Sequence, residues 1–388
     1  MTTGAVEDQP LYGTLAWSLA LCLSRLNGCS PPTARRRGTG WRRRHVRDDQ
    51  RAGLSPLIVA VAVVQPLPGI GDMIWHLPHI RAIAAHVGEP VTLITKPRSA
   101  ADQIFAAEQT VRDIIWLDRN PEGRRGRHDG GVGFLRVVNA MRARGFDAVY
   151  ILHHSKTIAL LTRLAGIPVR RGYGYGIQRW FLNSPPWLAK KVLRRHPFEQ
   201  ATAWLHAAGI PMPEDEPTLA VTDAAIATVR SRLRMTAPLI AIGIGSSEPY
   251  KQWGASRFAA LAEALASTST ARPVLVGGKS EAPLAAEIQA LLPATETTAA
   301  IGWNLSEIAA LFSLSRYYVG NDTGVMNMAA AVGIRTYCLF GGVAPFHHSS
   351  RIVAITPPGG VSKASGMARL SVDQVISIIE NDQASFRA

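Results

Sequence analysis

The segment 319–342, Val-Gly-Asn-Asp-Thr-Gly-Val-Met-Asn-Met-Ala-Ala-Ala-Val-Gly-Ile-Arg-Thr-Tyr-Cys-Leu-Phe-Gly-Gly, constrains this chain more than any other. Tyr317 to Val319 closes a strand, a polar turn follows, then a helix of small residues and a second strand from Thr336 to Phe340. Asp322 or Thr323 is placed to cap the helix, because a side-chain oxygen there accepts a free first-turn N–H. Gly324 lets a ligand approach the backbone, and Gly333 suits the left-handed position where a helix stops. Free N–H groups and the macrodipole make that helix end a site for anions, phosphate above all. By pattern alone an ordinary strand–turn–helix–strand unit with an N-cap Asp is the stronger reading.

The rest of the chain repeats this alternation. Leu57 to Val64, Val91 to Thr95, Ile114 to Leu117 and Ala148 to Leu152 read as strands. Between them lie a helix from Met73 to about His86, a loop over 119–133 rich in Arg and Gly, and a helix from Phe134 to Arg144. A helix runs from the Lys156 region to Leu164, Arg170 to Gly176 reads as a glycine-rich aromatic loop, and a helix ends at Ala208. A second series has strands Leu239 to Ile244, Pro273 to Val276, Tyr317 to Val319 and Thr336 to Phe340. Its helices are Ala255 to Ser267, Ala282 to Leu292, Leu305 to Ser313 and Val325 to Val332, and Val372 to Glu380 closes the chain. Strands and helices at this spacing predict an α/β protein with parallel sheets covered on both faces. The expected divisions are a basic, disordered leader at 1–55, a Rossmann-like domain at 56–213 and a linker region at 214–237. A second Rossmann-like domain follows at 238–370, with a C-terminal helix and tail at 371–388.

The net charge of +14 divides unevenly. Residues 1–51 hold nine Arg against four acidic residues, so +5 belongs there and +9 to the remainder. That basic block reads as a solvated tail or an over-extended start, with nucleic-acid binding as the weaker alternative. A basic remainder favours anionic partners. The most apolar leader segment, Leu11 to Leu26, is too short for a membrane span and is broken by Ser18, Ser24 and Arg25. It follows Glu7 and Asp8 rather than a basic segment, which argues against a secretory signal. Three cysteines without metal-ligand spacing give no disulfide framework, and a reducing cytoplasm is expected.

Three motifs carry a resemblance. Asn321-Asp-Thr-Gly-Val-Met-Asn-Met-Ala-Ala-Ala-Val-Gly333, with Phe340-Gly341 after it, resembles the signature of glycosyltransferase family 9, the heptosyltransferases of lipopolysaccharide core assembly. Pro68-Gly-Ile-Gly-Asp72, with Leu77-Pro78 and Arg81 beyond, resembles that family's N-terminal motif, and Lys251-Gln-Trp253 its Lys-x-Trp. All three fall in family order. At Asn327 the chain departs from the family, which usually has His there.

The resemblance implies a GT-B architecture, two Rossmann-like domains facing a central cleft. It implies an inverting, metal-independent glycosyltransferase without cofactor, moving a sugar from ADP-heptose onto a lipopolysaccharide core or related glycan. Asp72 is the implied general base and Gly71 lies beside the acceptor. Helix pattern alone makes Asp72 an N-cap, whose dipole-stabilised carboxylate is less basic; burial on closure would reverse that. Asp322, Thr323, Gly324, Val325, Met326 and Asn327 would cradle the donor diphosphate. Ser246 and Ser247 end a strand with free hydroxyls and N–H groups suited to phosphate. Lys251 is either a solvated loop lysine or the charge that neutralises a departing diphosphate. Glu281 is either a first-turn helix acid or a ribose ligand.

His153 and His154 follow a strand's carboxyl end and either line the acceptor side or are satisfied loop histidines. Arg170 and Arg171, and the Lys190-Lys191 cluster, are either solvated charge or a hold on an acidic acceptor. His76 and His79 lack a third metal ligand. Gly277-Gly-Lys-Ser280 is no P-loop, since Pro273 stands where the first Gly is needed. No Gly-x-Ser-x-Gly elbow is present. The expected partners are a nucleotide-sugar donor, an anionic lipid-linked acceptor and the inner-membrane surface peripherally, with no nucleic acid and a monomeric enzyme. Two other readings stay open: a GT-B enzyme using UDP-sugars, as transferase or 2-epimerase, and a non-catalytic sugar-nucleotide-binding relative.

Overall fold

The structure, a computed structural model, describes residues 60–385 apart from 236, 293, 294, 296, 347 and 348. The leader expected at 1–55 and the first residues of the strand expected from Leu57 lie outside the described residues. Runs of Val, Ile and Leu that alternate with no polar residue can be buried on both faces only between two helical layers. That is their fate here.

β1 (Val61–Val64), β2 (Val91–Thr95), β3 (Val111–Trp116), β4 (Ala148–Ile151) and β5 (Val169–Gly172) form one sheet in the order β3-β2-β1-β4-β5. β6 (Leu239–Gly243), β7 (Arg272–Gly277), β8 (Thr298–Ile301), β9 (Ser315–Asn321), β10 (Arg335–Leu339) and β11 (Ile352–Ile355) form a second, in the order β11-β10-β9-β6-β7-β8. Every pairing is parallel. β1, β2 and β6 are buried at every residue. In each sheet the order reverses once, between β1 and β4 and between β6 and β9. Those are the switch points where the strand ends of a doubly wound sheet leave a crevice.

Several sequence expectations need correction. Arg170, Arg171 and Gly172 are not loop but part of β5, paired with Val149, Tyr150 and Ile151. An edge strand tolerates such charge because one side of it stays in water. The edge strands β8 and β11 escaped notice because four residues give too short a period to read. Within 214–237 lies a helix, Asp223–Leu233, capped by the Thr222 hydroxyl, which accepts from Ala225 N–H at 3.2 Å. It buries only Val229 and Leu233, which leaves little apolar pattern to find. The loop after β3 is shorter than 119–133, because its helix begins at Gly130.

The two sheets share one continuous apolar core, which runs from Met73, Leu77 and Trp204 through Leu219 to Met326, Met328 and Phe340. Arg81 clasps the crossing segment. Its guanidinium pairs with Glu108 and Glu214 at 2.8 Å each and donates to the Thr218 carbonyl at 2.9 Å. Leu219 N–H then bonds to the Ala331 carbonyl at 2.8 Å.

Candidate active site

All the catalytic and donor candidates but Glu281, together with Gly71, His153 and His154, stand on segments that leave the four switch-point strands. The segment after β1 carries Gln65 to Asp72, that after β4 carries His153 and His154, that after β6 carries Ser246, Ser247 and Lys251, and that after β9 carries Asp322 to Asn327.

On the first sheet, the helix Ile70–Val87 is preceded by Gly69 as N-cap, not by Asp72. Asp72 sits in the first turn, and its Oδ2 reaches back to accept the Gly69 N–H at 2.9 Å. Burial pushes the Asp72 carboxyl above the ordinary carboxylate range, and the lowering by that N–H does not offset it. A carboxylate so placed is a better base at neutral pH than an exposed one. Below it, His76 Nδ1 lies 2.6 Å from the Asp72 carbonyl oxygen and donates to it, and burial drives this imidazole down to about 4. It is therefore neutral near pH 7. Gln65, fully buried, donates to the same carbonyl at 3.4 Å and takes the Thr95 hydroxyl at 3.4 Å.

Beside this lies a cavity of about 340 Å³ lined by Pro66, Pro68, Lys96, Arg119, His153 and Leu161, among others. His153 accepts the Ser155 N–H at 3.1 Å and stacks on His154 at 4.4 Å. Burial, then the neighbouring charges of His154, His76 and Lys96, lowers it to about 4. Arg170 does not turn into this space: its guanidinium donates to the Phe181 carbonyl at 2.8 Å and the Ile167 carbonyl at 2.5 Å. Arg171 lies over the Tyr150 ring at 5.7 Å. Lys96 and Arg119, which sequence reasoning passed over, supply the positive charge instead. Both stand just past strand ends, β2 and β3, and that position was the available signal.

On the second sheet, Gly243, Gly245, Ser246, Ser247, Glu281, Thr323 and Val325 line a pocket of about 170 Å³ with Tyr318 at its wall. Glu281 accepts the Gly278 N–H at 2.8 Å and the Ser280 hydroxyl at 2.9 Å. Asn321, fully buried, ties the Gly245 loop to β9 by donating to the Gly245 carbonyl at 3.0 Å. Thr323 is the N-cap of the helix Gly324–Val332, but its side chain makes no capping bond. Neither does Asp322 cap it. Its Oδ2 takes the Lys251 ammonium at 2.6 Å, which sets a cation beside the helix end. The first-turn N–H groups are thus left for an anion.

The two helix ends meet. A Cβ on Gly71 would come within 3.2 Å of Gly324 Cα and 3.0 Å of Asn327 Nδ2. Asn327, 4% exposed, accepts the Trp75 indole N–H at 3.0 Å. Met326 is core. Trp75 also packs edge-on against His196 at 4.2 Å and Phe346 at 5.9 Å, and His196 stacks on Phe346 at 3.6 Å. Phe346 comes from the second sheet's loops, so this aromatic group joins the halves at the site's edge. Nothing local in the sequence marks it.

The glycosyltransferase family 9 (heptosyltransferase) model matches residues 134–352, more than half of the chain. The chain belongs to glycosyltransferase family 9. No curated protein matches it. Among solved structures it is similar to the E. coli ADP-heptose lps heptosyltransferase II, at 19% identity and TM-score 0.67, over 85% of this chain and 100% of that one. A family 9 glycosyl transferase from Veillonella parvula DSM 2008 gives 20% identity and TM-score 0.69, over 84% and 98%. The E. coli heptosyltransferase WaaC with ADP-2-deoxy-2-fluoro heptose gives 19% and 0.64, over 84% and 100%. These likenesses show the two-sheet GT-B fold, and the family match makes the chain a glycosyltransferase. The family match takes in Lys251, Glu281 and the 321–333 motif, whereas Asp72 lies before its first residue. Of the described helices of this glycosyltransferase, none is long and apolar enough to cross a membrane.

Proposed function

We propose that this glycosyltransferase transfers heptose from ADP-heptose, with inversion, to a hydroxyl of an anionic lipopolysaccharide-core type acceptor. The observation that carries the reading is the abutment of Gly71 on Gly324. It sets a half-buried carboxylate of raised pKa, one residue from Gly71, next to an uncapped helix end with Lys251 beside it. Asp72 takes the acceptor's O–H proton as that oxygen bonds to the anomeric carbon. The bond from that carbon to the β-phosphate oxygen breaks, and its electron pair leaves on ADP. Charge grows on the diphosphate in this step. The helix N–H groups, the Ser247 hydroxyl and the Lys251 ammonium meet it there. The Ser246 hydroxyl donates to the Glu248 carbonyl at 2.7 Å and turns to the phosphate only on leaving it. Glu281 takes the ribose hydroxyls. The acceptor enters by the cavity of Lys96, Arg119 and neutral His153, where Lys96 matches an acidic sugar and Arg119 is shared with Asp129 at 3.6 Å.

The test is calorimetry of the protein with ADP and with UDP, repeated on Lys251→Ala, followed by turnover of ADP-heptose. ADP binding that weakens at least about tenfold in the variant is expected, since charge-assisted contacts to phosphate contribute that much. Preference for UDP would transfer the chain to a different donor class, and binding of neither nucleotide would remove the donor site.

A further inference from the structure

Between Asp147 and Glu199 the chain carries nine Lys and Arg and no acidic residue. The same stretch exposes large apolar side chains. Trp180 is 79% exposed, Ile177 57%, Leu164 44% and Tyr175 41%. Water-facing tryptophan and isoleucine in a run without any carboxylate are not explained by catalysis in the cleft.

Local structure gathers these side chains. Tyr175, Ile177 and Trp180 stand on or beside the two-turn 3₁₀ segment Gly176–Phe181, which packs on the helix Lys156–Leu164. Arg163 of that helix donates to the Trp180 carbonyl at 2.9 Å. The neighbouring helix Gly130–Ala143 adds Val132, 68% exposed, and Leu135, 57% exposed. Val132, Leu135 and Arg142 share one face by their spacing, and Arg142 donates to the Leu164 carbonyl at 2.8 Å. Every exposed large apolar side chain among the described residues, Leu291 excepted, lies on these three adjoining segments.

We propose that this surface docks the enzyme on an anionic lipid bilayer. Tryptophan and aliphatic side chains insert at the headgroup level, and each Lys or Arg near an anionic leaflet adds to the attraction. A polyphosphate partner would use the cations but not Ile177, Leu164 or Val132. A protein interface core is depleted of charge, whereas here cations and apolar chains interleave. The helix Lys156–Leu164 also carries Thr157, Ile158 and Leu161 into the wall of the cavity holding Lys96 and His153. The bilayer therefore lies against the element that bounds the acceptor cavity, so a lipid-borne sugar enters with its anchor still in the membrane. That last step rests on the transferase reading above. The docking does not.

The test is co-sedimentation of the full chain with vesicles of phosphatidylcholine alone and of phosphatidylcholine mixed with phosphatidylglycerol. The wild type is expected to bind the mixed vesicles and to be released by salt. The double variant Trp180→Ser, Ile177→Ser is expected to bind them at least about tenfold more weakly, the worth of two interfacial apolar side chains. Arg136→Gln with Arg179→Gln, both exposed on these segments, is expected to weaken binding and flatten its salt dependence. ADP titration of each variant should match the wild type, which shows that the fold is intact. Equal binding to both vesicle types, no vesicle binding, or variants that bind like the wild type would overturn the proposal. So would a salt-stable dimer of the wild type that the Trp180 and Ile177 changes dissolve. Vesicle binding in a protein that fails to bind ADP would leave this proposal standing and remove the transferase reading.

Discussion

Gly71 and Gly324 face each other across the junction of the two sheets so closely that neither can carry a side chain unaided. A Cβ on Gly324 would stand 2.7 Å from Gly71 N and 3.1 Å from Ile70 Cβ. The contacts are backbone and a β-branched stem, which cannot swing away. Gly324→Ala is expected to push the halves apart and cost about 1–3 kcal/mol. Because base and diphosphate site sit on these two helix ends, the transfer rate should fall by about 100-fold. Melting temperature and kcat check this together, and wild-type values of both would refute the shared-crevice geometry.

Asn327 is the polar lock of the same junction, through its 3.0 Å bond from Trp75. Asn327→Ala removes the acceptor of the indole N–H, a loss of about 1–3 kcal/mol. In a double-mutant cycle with Trp75→Phe, the second change should cost clearly less in the presence of the first. Additive losses in denaturant titrations would show that the bond contributes nothing.

Asp72→Asn is expected to lower kcat by about 100- to 10,000-fold, the range for loss of a general base. Stability should move the other way. Burial raises the folded-state pKa of Asp72, so folding favours its protonated form and its ionisation at neutral pH opposes the fold. The amide keeps an oxygen for the Gly69 N–H without the charge. A melting temperature equal to or above wild type, with activity nearly gone, is the expected pair. A large fall in melting temperature would make Asp72 a structural cap.

Lys251 and Asp322 are held to each other at 2.6 Å, with side chains 18% and 20% exposed. Lys251→Ala therefore does two things: it removes a cation and frees a carboxylate beside the phosphate site. The double change Lys251→Ala, Asp322→Asn should bind ADP more tightly than Lys251→Ala alone, by about threefold or more. If the double is the weaker binder, Asp322 serves the nucleotide directly.

Acid should loosen the junction. His76, His153 and His196 are each held near about 4, chiefly by burial, against an ordinary 6.5. Below 6.5 the unfolded chain takes up protons that the folded one refuses. Stability is full above that pH and drains away as pH falls toward 4. Asp72 works weakly in the opposite sense. Melting temperature measured from pH 7.5 to 4.5 should drop across this window, and His196→Gln should shrink the drop.

The Pro68–Asp72 segment shows how far sequence reached. Its glycines, its place after an apolar strand and its resemblance to a family motif were all readable. The N-cap was not. Gly69 takes that place and Asp72 sits in the first turn, because the cap is set by where the chain leaves β1 and not by residue preference. The same holds for Asp322, which looked like a cap and instead holds Lys251, seventy-one positions away. Arg170 and Arg171 read as acceptor ligands by charge alone, yet β5 registers them against β4 and their guanidinium groups turn to carbonyl oxygens and a ring.

The sequence by itself determined the two parallel sheets, the order of the three motifs and the kinship with family 9. Apolar runs, small-residue helices and glycine turns act within a few residues, so their signals are local. Tertiary structure decided which strand ends become switch points, that two glycines 253 positions apart abut, and that Trp75, His196 and Phe346 close one edge of the site. These depend on how two sheets pack. That packing is the sum of many small apolar contacts spread over the whole chain, which no short stretch can announce.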